Sequence, residues 1–124
     1  MARAATAPGT TRSRTWAWTA GSGVALLVLV TIHMVAHHFV VDSVGGLRSY
    51  EDVLDYIANP VMFVLESLFL VTVTTHAMLG LRSVLFDFGL SARAKRRTDR
   101  TLTVLGALTI AYGFLLIGVL ASRA

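Results

Sequence analysis

Three long apolar runs, separated by polar stretches, organise this chain. The first goes from about Thr19 to Val41, the second from Val61 to about Leu81 with a helical continuation towards residue 86, and the third from Thr101 to Ser122. At about 1.5 Å per residue each run is long enough to cross a bilayer core of about 30 Å. The pattern predicts an all-α integral membrane protein with three transmembrane helices, spanning about 19–41, 61–86 and 101–122. Signal peptides have shorter apolar cores and a small-residue cleavage site, so the first run reads as a retained span.

The polar stretches carry their own signals. Residues 1–15, MARAATAPGTTRSRT, are small, polar and basic, and the expectation is a disordered segment ahead of a membrane unit covering 16–124. Between the first two spans, SYEDVLDYI has a Ser followed by acids and apolar positions at helical spacing, which predicts a short interfacial helix capped at Ser49. Asn59-Pro60 opens the second span with Pro in the favourable first turn, and Gly89 is placed to end it. Gly106, Gly113 and Gly118 in the third span suit close helix contact.

Composition and charge narrow the solvent and the orientation. Of 124 residues, 55% are hydrophobic and none is cysteine, so disulfides and thiolate metal sites are excluded and any metal falls to His, Met or carboxylate. The formal charge of +4 could suggest nucleic acid, but its distribution answers differently. Nine of the 11 basic residues lie before the first span (Arg3, Arg12, Arg14) or between the second and third (Arg82, Arg93, Lys95, Arg96, Arg97, Arg100), while Arg48 and Arg123 lie on the other side. The first loop holds Asp42, Glu51, Asp52 and Asp55. By the positive-inside rule the N-terminus and second loop are cytoplasmic, and the first loop and C-terminus lie outside. Trp16 and Trp18 fit an aromatic anchor at the cytoplasmic interface, and the basic run suits anionic lipid or an acidic partner subunit. No Arg- and Ser-rich amphipathic presequence is seen, so a bacterial or archaeal cytoplasmic membrane is expected.

Ionisable groups at membrane depth are costly and therefore candidates for function. Here they are His33, His37 and His38 in the first span, and Glu66 and His76 in the second. His76 lies in the cytoplasmic half with Gly80 one turn on along the same face, and Arg82 beyond it. An imidazole aimed at a flat ring needs a neighbour without a side chain, so His-x-x-x-Gly suits axial ligation of a haem, with Arg82 reaching towards its propionates. A histidine bonded to a neighbouring helix, with Gly80 serving close packing, fits the same spacing. His33 and His37 share a face in the outer half, where a second haem, a proton path or simple interfacial anchoring are all open, and Glu66 is placed to pair with one of them. Asp87 reads locally as a loop acid beside the basic run.

The run His76-Ala-Met-Leu-Gly80-Leu-Arg82, continuing to Asp87-Phe88, resembles the second-helix motif of the cytochrome b membrane anchors of succinate dehydrogenase, of either C-type or D-type. The Pro60…Glu66…His76 spacing is similar to that of bacterial members. The resemblance implies half of a haem-binding helical bundle, completed by a second anchor subunit and holding a flavoprotein subunit and an iron–sulfur subunit on the membrane. It implies haem b on His76, with Gly80 and Arg82 beside it, and quinone as the substrate of the complex near Asp87, Phe88 and Ser22. The extra histidines, His33 and His37, resemble anchors that bind two haems, with His33 as the second ligand. The chain departs from D-type anchors in having Phe88 where Tyr is frequent. It departs from C-type anchors in having Ala20 where an Arg commonly precedes the Ser-Gly pair, here Ser22-Gly23.

Two other classes fit the same residues: a haem-free subunit that only tethers an oxidoreductase, and a small proton-conducting membrane protein using Glu66 and the histidines. The anchor reading assigns this chain no catalytic residue for succinate itself.

Overall fold

The computed structural model describes residues 14–39 and 49–124, and every element in it is helical. The helices are α1 (Arg14–Phe39), α2 (Tyr50–Ala58), α3 (Pro60–Asp87) and α4 (Ala92–Ala121). Among them α1, α3 and α4, with 26, 28 and 30 residues, are long and apolar enough to cross a membrane. The three expected spans are therefore present. The disorder expected for residues 1–13, the end of the first span at Val40 and Val41, and the loop charges Asp42 and Arg48 lie outside the described residues.

Within the described residues α1 already includes Arg14 and Thr15, and one helix start differs from the sequence reading. α4 begins at Ala92, nine residues ahead of the apolar run, because Ser91 caps it by accepting from the Ala94 N–H at 3.3 Å and Ala, Arg and Lys propagate a helix well. Hydrophobicity marks where a helix enters lipid, not where it starts.

The short elements form as their residues dictate. Ser49 Oγ accepts from Asp52 N at 3.1 Å while Asp52 Oδ2 accepts from Ser49 N at 2.8 Å, a complete capping box for α2. Asn59 Oδ1 accepts from Val61 N at 2.9 Å and Pro60 fills the first turn of α3. α3 ends where Gly89 takes φ +71°, the left-handed conformation that a side chain disfavours.

α3 is the central element. It packs against both α1 and α4, whose backbones stand apart among the described residues, and α2 rests on α3 and α4 with Tyr56 against His37 of α1. The result is an open layer rather than a closed bundle. Its small core, Ala36, Tyr56 and Ile57 with Met62, Leu65 and Ile117 against it, lies at the α2 end. Most large apolar side chains stay uncovered, including Val24, Leu27, Leu108 and Leu115 at 60% or more exposed. Gly106 and Gly113 let α4 approach α3: a Cβ on them would lie 3.1 Å from Met78 Cγ and 2.5 Å from Leu70 Cδ2. Gly118 makes no such approach among the described residues, where a Cβ on it would meet nothing within 4 Å.

Candidate functional site

Polar side chains inside the layer gather at two levels. One, near the basic end formed by Arg14, Arg82 and the start of α4, is built around His76. The other, at the α2 end, is built around Glu66, ten residues earlier on α3 and so about 15 Å along the helix axis.

At the first level α1 presents two small residues to His76. Ser22 Oγ lies 3.1 Å from His76 Nδ1 and also donates to the Thr19 carbonyl at 3.0 Å. A hydroxyl has one proton, so with that proton on Thr19 the imidazole donates through Nδ1–H and Nε2 carries the free lone pair. Gly23 admits the ring: a Cβ there would sit 3.2 Å from His76 Cε1. Beside it, a Cβ on Gly80 would meet nothing within 4 Å. A histidine held through Nδ1, with no side chain one turn away at Gly80, is a residue that could hold a haem, which would supply one-electron transfer.

Other expected residues fall nearby. Arg82 donates through Nε to Asp99 Oδ1 at 2.5 Å, bridging α3 to α4, and its guanidinium lies 4.1 Å over the Phe86 ring. It keeps its terminal amino groups as further donors. Asp99 was not singled out from the sequence, although it is the one acid in the run SARAKRRTDR. Asp87 and Phe88 end α3 in exposed positions, Phe88 at 76%. A cleft of about 460 Å³ takes in Trp16, Thr19, Arg82, Ser83, Phe86 and Asp87. Ser22 is absent from it and instead lines a cleft of about 530 Å³ with Gly21, Ala25 and Thr72, so the expected grouping of Ser22 with Asp87 and Phe88 is not formed within this chain.

At the second level Glu66 collects three partners. His33 Nδ1 lies 2.9 Å from Oε1 and 3.1 Å from Oε2, and His37 Nε2 lies 3.3 Å from Oε1. Tyr56 donates its hydroxyl to Oε1 at 2.6 Å. The pairing of Glu66 with a first-span histidine thus forms as the sequence allowed, and Tyr56 from α2 is an addition it did not signal. The His33 ring stacks on Phe69 at 4.7 Å and meets His37 at 4.2 Å. His38 stays outside the cluster, exposed and edge-on to Phe39.

Comparison with known proteins agrees with this architecture. The family profile described as succinate dehydrogenase/fumarate reductase transmembrane subunit matches residues 6–116. The chain is 31% identical over 96 residues to the succinate dehydrogenase hydrophobic membrane anchor subunit of Archaeoglobus fulgidus, covering 77% of this chain and 80% of that protein. Against the subunit of the same description from Thermoplasma acidophilum it is 28% identical over 95 residues, covering 77% and 76%. With three apolar spans in an open helical layer and a profile match over nearly its whole length, this chain belongs to the succinate dehydrogenase/fumarate reductase transmembrane subunit family.

Proposed function

We propose that the chain is a haem b-binding membrane anchor of succinate:quinone oxidoreductase, sitting in the cytoplasmic membrane with its basic end inside. The observation that carries the haem reading is His76, whose Nδ1 is engaged by Ser22, which leaves Nε2 as the candidate ligand atom, with Gly80 one turn on along the same helix unobstructed. Haem b supplies one-electron transfer. The chain's own residues do the rest: Ser22 fixes the imidazole, Gly23 and Gly80 leave room, and Arg82 offers its terminal amino groups to a propionate while Asp99 steadies it. A second anchor subunit, seated against the uncovered apolar side chains, would contribute the remaining residue that holds the haem.

The quinone head group is assigned to the basic end, where Asp87 and Arg82 share a cleft with Trp16 and Ser83. Phe88 carries no hydroxyl, so hydrogen bonds to the quinone come from those side chains and from other subunits. Exposed Asp87, Phe88 and the stripe Arg93, Arg96, Arg97 and Arg100 form the surface offered to the iron–sulfur subunit, which in turn carries the flavoprotein.

Co-purification of the tagged chain in mild detergent, with a reduced-minus-oxidised spectrum, tests the reading. A flavoprotein, an iron–sulfur protein and a haem b band are expected, and His76→Ala is expected to remove the band while the three spans stay inserted. A wild-type spectrum in that variant would sink the ligand assignment. Partners without haem would favour a tethering subunit, and proton flux in liposomes from the chain alone would favour a proton conductor.

A further inference from the structure

At the basic end α1, α3 and α4 border a slot that is polar at its mouth and apolar further in. We propose that this slot seats one anionic phospholipid, its phosphate held by Arg14, Arg82 and Arg96 and one acyl chain laid along the crevice between α3 and α4.

The walls have the shape and polarity of such a lipid. The mouth is a cleft of about 460 Å³ bordered by Arg14 and Trp18 of α1, Arg82 of α3, and Asp99 and Thr103 of α4. It shares Met78, Leu79 and Leu102 with a second cleft of about 310 Å³, which runs on past Gly106 and Ala107 to Ile110. The small side chains at Gly106 and Ala107 hollow that wall. From Asp99 to Ile110 it extends about 16 Å along α4, close to the depth of one leaflet in a hydrocarbon core about 30 Å thick.

Charge selects the headgroup. Arg82 commits Nε to Asp99 and keeps its terminal amino groups as donors. Arg14 borders the same cleft. Arg96 is exposed and, seven residues before Thr103, stands about two turns above it on the same side of α4. Three guanidinium groups against the single acid Asp99 leave the mouth positive, and their planar forks match a phosphate. Basic pockets between transmembrane helices are where anionic headgroups bind. Trp18, 68% exposed at the rim, suits the interfacial level just below the phosphate. A soluble phosphate would use the mouth alone, whereas the apolar continuation calls for an acyl chain.

The slot and the face assigned to haem are different sides of α3. Thr75 and Leu79, in the slot, directly precede His76 and Gly80, which places the two faces about 100° apart round the helix. Arg82 borders both. Seated there, the lipid would cover Met78, Leu79 and Leu102 and tie α3 to α4 just below the Arg82–Asp99 bridge.

The test uses the purified complex in detergent micelles containing dioleoylphosphatidylcholine, titrated with dioleoylphosphatidylglycerol, with bound lipids counted by native mass spectrometry. Among them, one phosphatidylglycerol per copy of this chain is expected to depend on the slot. The pair Arg14→Gln with Arg96→Gln should weaken it tenfold or more, in protein that still elutes as a monodisperse complex. So should Ala107→Phe, which narrows the apolar continuation from an exposed position and alters no charge. Arg123→Gln, beyond the other end of α4, and Leu108→Phe, exposed outside the slot, should leave it unchanged. Equal binding of the two lipids, or equal loss in Leu108→Phe, would mean ordinary annular lipid and overturn the site. Loss in the arginine pair with full binding in Ala107→Phe, or displacement by inorganic phosphate, would mean a surface anion site and overturn it too. Release of the second anchor subunit by Ala107→Phe would assign the slot to that protein instead. Because His76 and Arg82 stay intact in every variant, a missing haem b band would count against the haem reading and not against the lipid.

Discussion

Ser22 has one proton to give, and where it goes sets the state of His76. With the proton on the Thr19 carbonyl, His76 Nε2 is the free nitrogen. Ser22→Ala removes this partner and lets the ring change tautomer and tilt, so haem affinity is expected to fall about tenfold or more, the scale on which outer-shell partners act. Titration of haem into the stripped complex measures it. Gly80→Leu is expected to block haem while leaving helix packing intact, since its Cβ meets nothing within 4 Å. Full haem retention in that variant would place the macrocycle elsewhere. His76 and Gly80 were legible from spacing alone, because both lie on one face of one helix. The Ser22 contact was not, because it spans 54 residues and depends on the register of α1 against α3, which no local pattern states. Glu66 and His33 were half legible: equal depth in adjacent antiparallel spans allowed the pair, but the docking of Tyr56 from α2 could not be read.

At the scale of elements, α2 owes its existence to its cap. Nine residues are too few for a stable isolated helix, and both halves of the capping box close at hydrogen-bond distance. Ser49→Ala is expected to destabilise α2 by about 1 kcal/mol. Amide exchange should then quicken along Tyr50–Ala58 while α4 is unaffected, and equal exchange in both proteins would show that packing of Leu54, Tyr56 and Ile57 suffices without the cap. The three spans were plain in the sequence because lipid forces long apolar helices and permits little else. The start of α4 was hidden for the opposite reason. Ala92–Arg100 is helical through propensity and the Ser91 cap, outside the apolar run that hydropathy detects.

For the whole molecule, charge and openness act together. The open layer leaves apolar side chains uncovered, and the proposed anchor role requires the chain to insert one way round so that its basic end would meet the soluble subunits. Nine basic residues on one side against two on the other supply that bias. The absence of cysteine makes the orientation directly measurable with single thiols that alter no charge. Ala92→Cys, exposed at the start of α4, is expected to react with a membrane-impermeant maleimide only in inside-out vesicles. Ala124→Cys, exposed beyond α4, should react only in right-side-out cells or vesicles. The reverse pattern would put the basic end outside, remove the surface assigned to the iron–sulfur subunit from the cytoplasm, and overturn the anchor's proposed orientation. Labelling of both thiols from one side would instead mean that α4 does not span, leaving its apolar face in need of another cover.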